Sequence, residues 1–353
     1  MDRDVVLKRI EKARVENATA LCLAGCGITE FPAEICDLTN LKKIDLGNNQ
    51  LATFPAEISN LTKLEKIELD NNQLTTLPAE ISKLTSLKKL MLYKNKLTTL
   101  PAEIGNMTNL EELFLDENEL TTLPAAIGDL TELEKLSLGS NQLEELPNEI
   151  RSLTNLRELS LYGNKLRILP AEIGQLTNLK ELSVYRNKLT HIPAEITDLE
   201  NLENLNLGDN QLTSLPEEVS KMKNLRELFL YRNKLTTLIE FISDLTKLKK
   251  LDIDGNKFSI FPTDITTLEN LIFLDIQNNQ LTSLPPEIED LRNLRELGLG
   301  NNSLTSFPEE VWEMKRLERL KLQGNNLPFQ KLCKITENFR LMKLLYTYTW
   351  AQD

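Results

Sequence analysis

The sequence predicts an α/β solenoid, with a parallel β-sheet on its concave face and 3₁₀ or irregular turns on its convex face. Three observations carry that reading. First, asparagine recurs at Asn49, Asn72, Asn95, Asn118, Asn141, Asn164, Asn187, Asn210, Asn233, Asn256, Asn279, Asn302 and Asn325, always 23 residues on, with no insertion or deletion. Self-similarity at a fixed period of this size is the mark of stacked structural units. Second, each asparagine sits in one apolar frame, LxxLxLxxNxLxxLPxxIxxLxx, shown by Leu64, Ile67, Leu69, Asn72, Leu74, Leu77, Pro78, Ile81 and Leu84. Its LxL core alternates as a half-buried strand does. Every repeat runs the same way, so the strands are parallel. Third, a proline follows in nearly every repeat, as at Pro78 and Pro101. It removes an N–H and fixes φ, so this arm is not sheet. Too few residues separate it from the next strand for a full helix. Strands lie about 4.8 Å apart, and the bulkier arms on the far side make the sheet the inner lining.

The elements follow in order. Residues 1–40 read as an N-terminal helical cap with a degenerate first repeat. The helix is expected over about 3–16, capped by Asp4 and turning Val6, Leu7, Ile10 and Ala13 inward. The degenerate repeat ALCLAGCGITEFP places Cys26 one period before Asn49. Residues 41–327 are the tandem repeats. Their asparagine falls where the chain leaves the strand, and its amide can both donate to and accept from turn backbone. Stacking therefore predicts an internal asparagine ladder. A single repeat cannot bury its own leucines, so both ends need covers. Residues 328–353 read as the C-terminal cap: Pro328 opens a helix whose Leu332, Ile335, Phe339, Met342 and Leu345 close the last core layer. A partner-docking amphipathic helix is the alternative reading of that segment.

This frame resembles the leucine-rich repeat family. The 23-residue length and the LPxEIxxL second half are most similar to intracellular Ras-group leucine-rich repeats, and also resemble repeats of many bacterial proteins and of Roco-type GTPases. The resemblance implies a right-handed leucine-rich-repeat solenoid, or horseshoe. It also implies tolerance of cysteine on the ladder, which Cys26 fits. No family-specific tail identifies a subfamily.

Composition narrows the function. Charged residues make up 27% of the 353 and aromatics only 5%, so the core is aliphatic. The formal net charge of −12 argues against a nucleic-acid or anionic-membrane partner, both of which need a cationic face. A single histidine, His191, argues against a His-rich metal site and His-dependent catalysis. The N-terminus lacks the apolar run of a secretion signal, and no stretch is long and apolar enough to span a bilayer. Cys22, Cys26, Cys36 and Cys333 are therefore read as reduced thiols and the location as cytoplasmic. No phosphate-binding glycine loop, nucleophile elbow or HExxH is present. The expectation is a protein that is not an enzyme and holds no cofactor or metal; the sequence leaves its oligomeric state open, with a monomer favoured.

Function then lies in the variable positions of LxxLxLxxN. The third, fifth, seventh and eighth face outward on the strand side. Across thirteen repeats they hold ten basic and fourteen acidic groups, too mixed for a phosphate-backbone groove. The seventh position carries Tyr93, Tyr162, Tyr185 and Tyr231, and the fifth Met91, Phe114 and Phe229. Phe273 is at a third position, and Arg186 and Arg232 at eighth positions. Tyrosine and arginine are enriched at binding hot spots, and exposed rings lower solubility. These ten residues are the candidate partner-binding site. A sheet-stabilising aromatic ladder is the competing account. Gly208 falls between Tyr185 and Tyr231 in the column, which predicts a glycine-floored gap between two rings.

Asp252 and Asp275 share the fifth position of adjacent strands, with Asp254 nearby; Asp45, Glu68 and Asp70 form a similar group. About 5 Å between two carboxyl groups is the spacing of a retaining glycosidase, and such a pair can also hold Ca²⁺. An open sheet without a water-excluding pocket argues against both. On the convex side a glutamate column (Glu34, Glu57, Glu80, Glu103, Glu149, Glu172, Glu195, Glu218) reads as a solvated face. It breaks at Phe241, with Ile239 in place of proline, marking a possible second contact patch. The function expected is a non-enzymatic scaffold that recognises another protein on its concave face. The alternative is a regulator or inhibitor that occludes a basic enzyme, or a component of a small-GTPase pathway, through its acidic patches.

Overall fold

The computed structural model describes residues 3–238 and 242–328. The expected C-terminal cap beyond Pro328 and the Ile239/Phe241 patch lie outside the described residues. The chain divides into two compact units, Met1–Ser183 and Val184–Asp353.

The first unit opens with helix α1 (Arg3–Val15), whose Val6, Ile10 and Ala13 are buried. Leu7, expected inside, is only half-buried. Asp4 lies in the first turn of the described helix. Eight three-residue strands follow: β1 (Ala20–Cys22), β2 (Lys43–Asp45), β3 (Lys66–Glu68), β4 (Lys89–Met91), β5 (Glu112–Phe114), β6 (Lys135–Ser137), β7 (Glu158–Ser160) and β8 (Glu181–Ser183). They pair in parallel with each strand advanced by one repeat, as in Lys66↔Lys89, Ile67↔Leu90 and Glu68↔Met91. The second unit repeats the plan with β9 (Asn204–Asn206), β10 (Glu227–Phe229), β11 (Lys250–Asp252), β12 (Phe273–Asp275), β13 (Glu296–Gly298) and β14 (Arg319–Lys321). Its pairing is parallel and equally regular, as in Phe229↔Asp252 and Asp252↔Asp275.

The strands are short because only the third to fifth frame positions are extended. Beyond them the chain turns through the asparagine. In Asn72 the amide donates to Leu46 O (3.0 Å) and Leu69 O (3.1 Å), while its oxygen accepts Leu51 N–H (3.0 Å). One side chain thus ties its own turn to the preceding one, and the same triple recurs at Asn210 in the second unit. The predicted ladder is internal: the asparagines from Asn49 to Asn302 are 6–9% exposed. At its first step Cys26 is buried, its thiol bonding Ala24 O and receiving Arg9 from α1.

The far side is made of 3₁₀ turns rather than helices, as the proline predicts. Pro78 (φ −68°) precedes Ala79–Lys83, where Ile81 N–H reaches Pro78 O at 3.1 Å and Leu84 N–H reaches Ile81 O at 3.0 Å. That turn drops its isoleucine into the core. Leu64, Ile67, Leu69, Leu74, Ile81 and Leu84 are all 0% exposed. Burying one such side chain contributes about 1.5–3 kcal/mol, and each repeat shares that core only with its neighbours.

Candidate protein-binding face

Every one of the ten predicted residues falls on the strand side, half-buried or exposed, while the frame leucines between them point inward. In the first unit β4 and β5 set Met91 directly opposite Phe114. Phe114 is not a free ring. Lys89 Nζ lies 4.8 Å and Lys135 Nζ 5.7 Å from its centre. Each ammonium also pairs across the strands, Lys89 with Glu112 (2.5 Å) and Lys135 with Glu158. Two residues past β4, Tyr93 hydrogen-bonds the Asp70 carboxylate, and burial followed by the Asp70 charge pushes the phenol up. Burial likewise raises Asp70, with that same hydrogen bond opposing the shift. Tyr162 lies across Gly139, where an added methyl group would overlap the ring. Part of this set therefore serves the sheet itself, as the competing account expects.

In the second unit the predicted gap between Tyr185 and Tyr231 is absent. The Tyr231 ring lies over Gly208 and fills the space a side chain would have taken. Glycine in the column does not leave a slot; it lets the next repeat's tyrosine lie down on bare backbone. Burial pushes the Tyr231 phenol up, the Asn206 side-chain hydrogen bond opposing it, and Asn206 Oδ1 also accepts Gly208 N–H (3.1 Å). The loops carrying these rings stack directly, Arg186 N–H on Gly208 O (2.9 Å) and Asp209 N–H on Tyr231 O (2.7 Å). Arg186 and Arg232 are exposed at the eighth position, with φ of 57° and 49°. Phe229 faces Asp252 across β10 and β11, and Phe273 sits between Lys250 and Glu296.

The aspartate pair is adjacent in register, as predicted, but it does have supporting partners. Asp252 Oδ1 accepts Asp254 N–H (3.0 Å). Asp275 accepts Gln277 N–H (3.1 Å) and both its oxygens meet Gln277 Nε2 (3.0 and 2.8 Å). Lys321 Nζ lies 3.7 Å from Asp275 and 3.0 Å from Glu296. Gln323 donates to Gln277 (2.8 Å) across two repeats, over Gly300. Burial drives the Asp252 carboxyl up to about 6 and raises Asp275 as well. Reading the sequence in columns finds neighbours one repeat away. Lys321 and Gln323, two repeats beyond Asp275 and Gln277, needed the side-chain lengths in place. In the first unit Asp116 Oδ1 accepts Ser137 Oγ (2.7 Å) and Gly139 N–H (2.9 Å); both partners are one repeat on, but the column pattern does not show which way the carboxylate turns. Among the described residues no group of three or more His, Cys, Asp or Glu is placed to hold a metal ion. None of the described helices is long and apolar enough to cross a membrane.

A leucine-rich repeat region model matches residues 66–162 and 136–261, and a leucine rich repeat model matches 16–74 and 266–327. The chain belongs to the leucine-rich repeat family. It is similar to a leucine-rich repeat protein of Leptospira interrogans, at 36% identity over 95% of this chain and 98% of that one, with a TM-score of 0.79. An internalin from Listeria monocytogenes matches at 25% identity over 90% and 94% of the two chains, with a TM-score of 0.80. A plant peptide hormone receptor solved in complex with RGF2 matches at 32% identity and a TM-score of 0.69 over 88% of this chain, which spans 56% of that receptor. No curated protein matches significantly. Proteins of this fold mediate protein–protein interaction and are typically non-enzymatic scaffolds.

Proposed function

We propose that this chain is a cytoplasmic, non-enzymatic recognition protein that binds another protein on its strand-lined face. The observation that carries the reading is the separation of roles between the two sides of each strand. The core is complete without these outward aromatics, its frame leucines apart from Leu238 being no more than 9% exposed from Leu64 to Leu304 in repeat after repeat. Met91, Tyr93, Phe114 and Tyr162 in one unit, and Tyr185, Phe229, Tyr231 and Phe273 in the other, lie outside that core with part of each side chain in solvent. Large rings at such positions are the usual anchors of a protein interface.

Tyr185→Ala combined with Tyr231→Ala tests the reading. Proteins captured from native lysate by the wild type should be lost, while the thermal midpoint moves by only a few degrees. Equal capture would move the site elsewhere. The regulator that occludes a basic enzyme has support from the Asp252–Asp275 pair. Capture by such an acidic clamp falls steeply between low and high ionic strength, whereas capture by an aromatic anchor changes little.

A further inference from the structure

Five cations occupy the outward strand positions of the second unit, and three of them are engaged. Lys250 pairs with Glu227 at 2.8 Å, Arg319 with Glu296 at 3.2 Å, and Lys321 with Glu296 at 3.0 Å. Arg186 and Arg232 are exposed, and neither makes an ion pair among the described residues. Asp209 stands between them at the same frame position without pairing to either. Both arginines have left-handed backbone, φ 57° and 49°, where Gly255 and Gly324 occupy the same position in other repeats of the unit. A long cationic side chain thus sits where the backbone favours glycine or asparagine. Its stem does not repair the local geometry, so the charge is what the position offers.

The two arginines are two repeats apart, about 9.6 Å at the sheet spacing. A polyproline II segment repeats every three residues, about 9.3 Å. An extended segment lying across the strands would therefore bring every third side chain over an arginine. Each arginine directly follows a tyrosine, Tyr185 or Tyr231, and aromatic-lined surfaces are what proline-rich segments dock on. Asp209 repels a third acid in the middle, so the residues between carry no carboxylate.

We propose that Tyr185, Arg186, Tyr231 and Arg232 dock an acidic, proline-containing segment of a partner protein whose two carboxylates are three residues apart. The proposal rests on the strand-face reading above and names the chemistry of its partner.

The test is fluorescence anisotropy on the full chain with labelled, end-blocked peptides. The probe is Glu-Pro-Pro-Glu repeated in a proline frame. Its controls are the same peptide with glutamine for glutamate, and one with glutamates two residues apart. The glutamate probe should bind best. Arg186→Gln or Arg232→Gln should weaken it about threefold each, and the double variant about tenfold. Arg186→Gly with Arg232→Gly should lose the same affinity with an unchanged or higher melting midpoint, separating the site from the fold. No preference for glutamate over glutamine, or wild-type affinity in the double variant, overturns the proposal. If the tyrosine pair loses its captured protein while the arginine variants keep it, the strand-face reading stands and the acidic partner falls. If the tyrosine pair keeps it, the strand-face reading falls first.

Discussion

Each ladder asparagine spends its whole amide on backbone. Asn210 donates to Val184 O (3.1 Å) and Leu207 O (3.0 Å) and accepts Leu189 N–H (3.0 Å) while 8% exposed. Asn210→Ala leaves those buried groups unpaired, and urea unfolding should show a loss of about 1–3 kcal/mol. Asp252 is the opposite kind of polar residue. Its folded carboxyl titrates at about 6, above its ordinary value of 3.8, chiefly through burial. The folded chain holds that proton more tightly than the unfolded chain. The stability it contributes is full below about pH 4 and is lost as pH rises through about 6. Asp252→Asn should remove that fall, giving a flatter pH profile of chemical denaturation and a gain at pH 7. A profile unchanged by the substitution would mean the Asp252 environment is wetter than its burial indicates.

Within an element, a three-residue strand is too short to stand alone, and a repeat has a core only against its neighbours. Helix α1 is a cover for that core. Ile10 is 1% exposed against the first repeat. Ile10→Ala should cost about 2–5 kcal/mol, felt locally because stability in a stacked array passes only between neighbours. Amide exchange should therefore quicken in β1 and β2 well before β6 to β8. Uniform acceleration would show one cooperative block instead. The cross-strand ion pairs matter less: Lys88 and Glu111 meet at 2.6 Å but their side chains are 55% and 46% exposed. Lys88→Gln should leave the urea midpoint almost unchanged.

For the molecule, a net charge of −12 over mixed-sign strand positions sets how it meets partners. Long-range attraction to a strongly basic protein is screened within about 10 Å at 0.1 M salt. Contacts by Tyr185 and Tyr231 act at van der Waals range. Partner affinity measured from 50 to 500 mM salt should accordingly drop by only a few-fold if the tyrosines anchor it. A loss of a hundredfold or more would hand the interface to the acidic groups.

The period, the parallel strands, the 3₁₀ turns, the buried asparagines and the capping helix were all legible in the sequence. An identical environment every 23 residues makes the repeated features the solution of one repeat, reached thirteen times, while the helix shows in the spacing of Val6, Ile10 and Ala13. The outward positions were legible as columns, which is why Met91 opposite Phe114 and Asp252 beside Asp275 were placed correctly. What those side chains do with the space was not. Tyr231 lying on Gly208, the two lysines over Phe114, and Lys321 reaching Asp275 depend on rotamers and on lengths that span more than one repeat. The backbone and the inward face follow from the residues alone, because hydrophobic burial and backbone hydrogen bonding leave a repeated frame one arrangement. Which outward groups satisfy each other, and which, like Arg186 and Arg232, make no ion pair among the described residues, emerges only in the folded chain, because on a surface many pairings compete at similar energy.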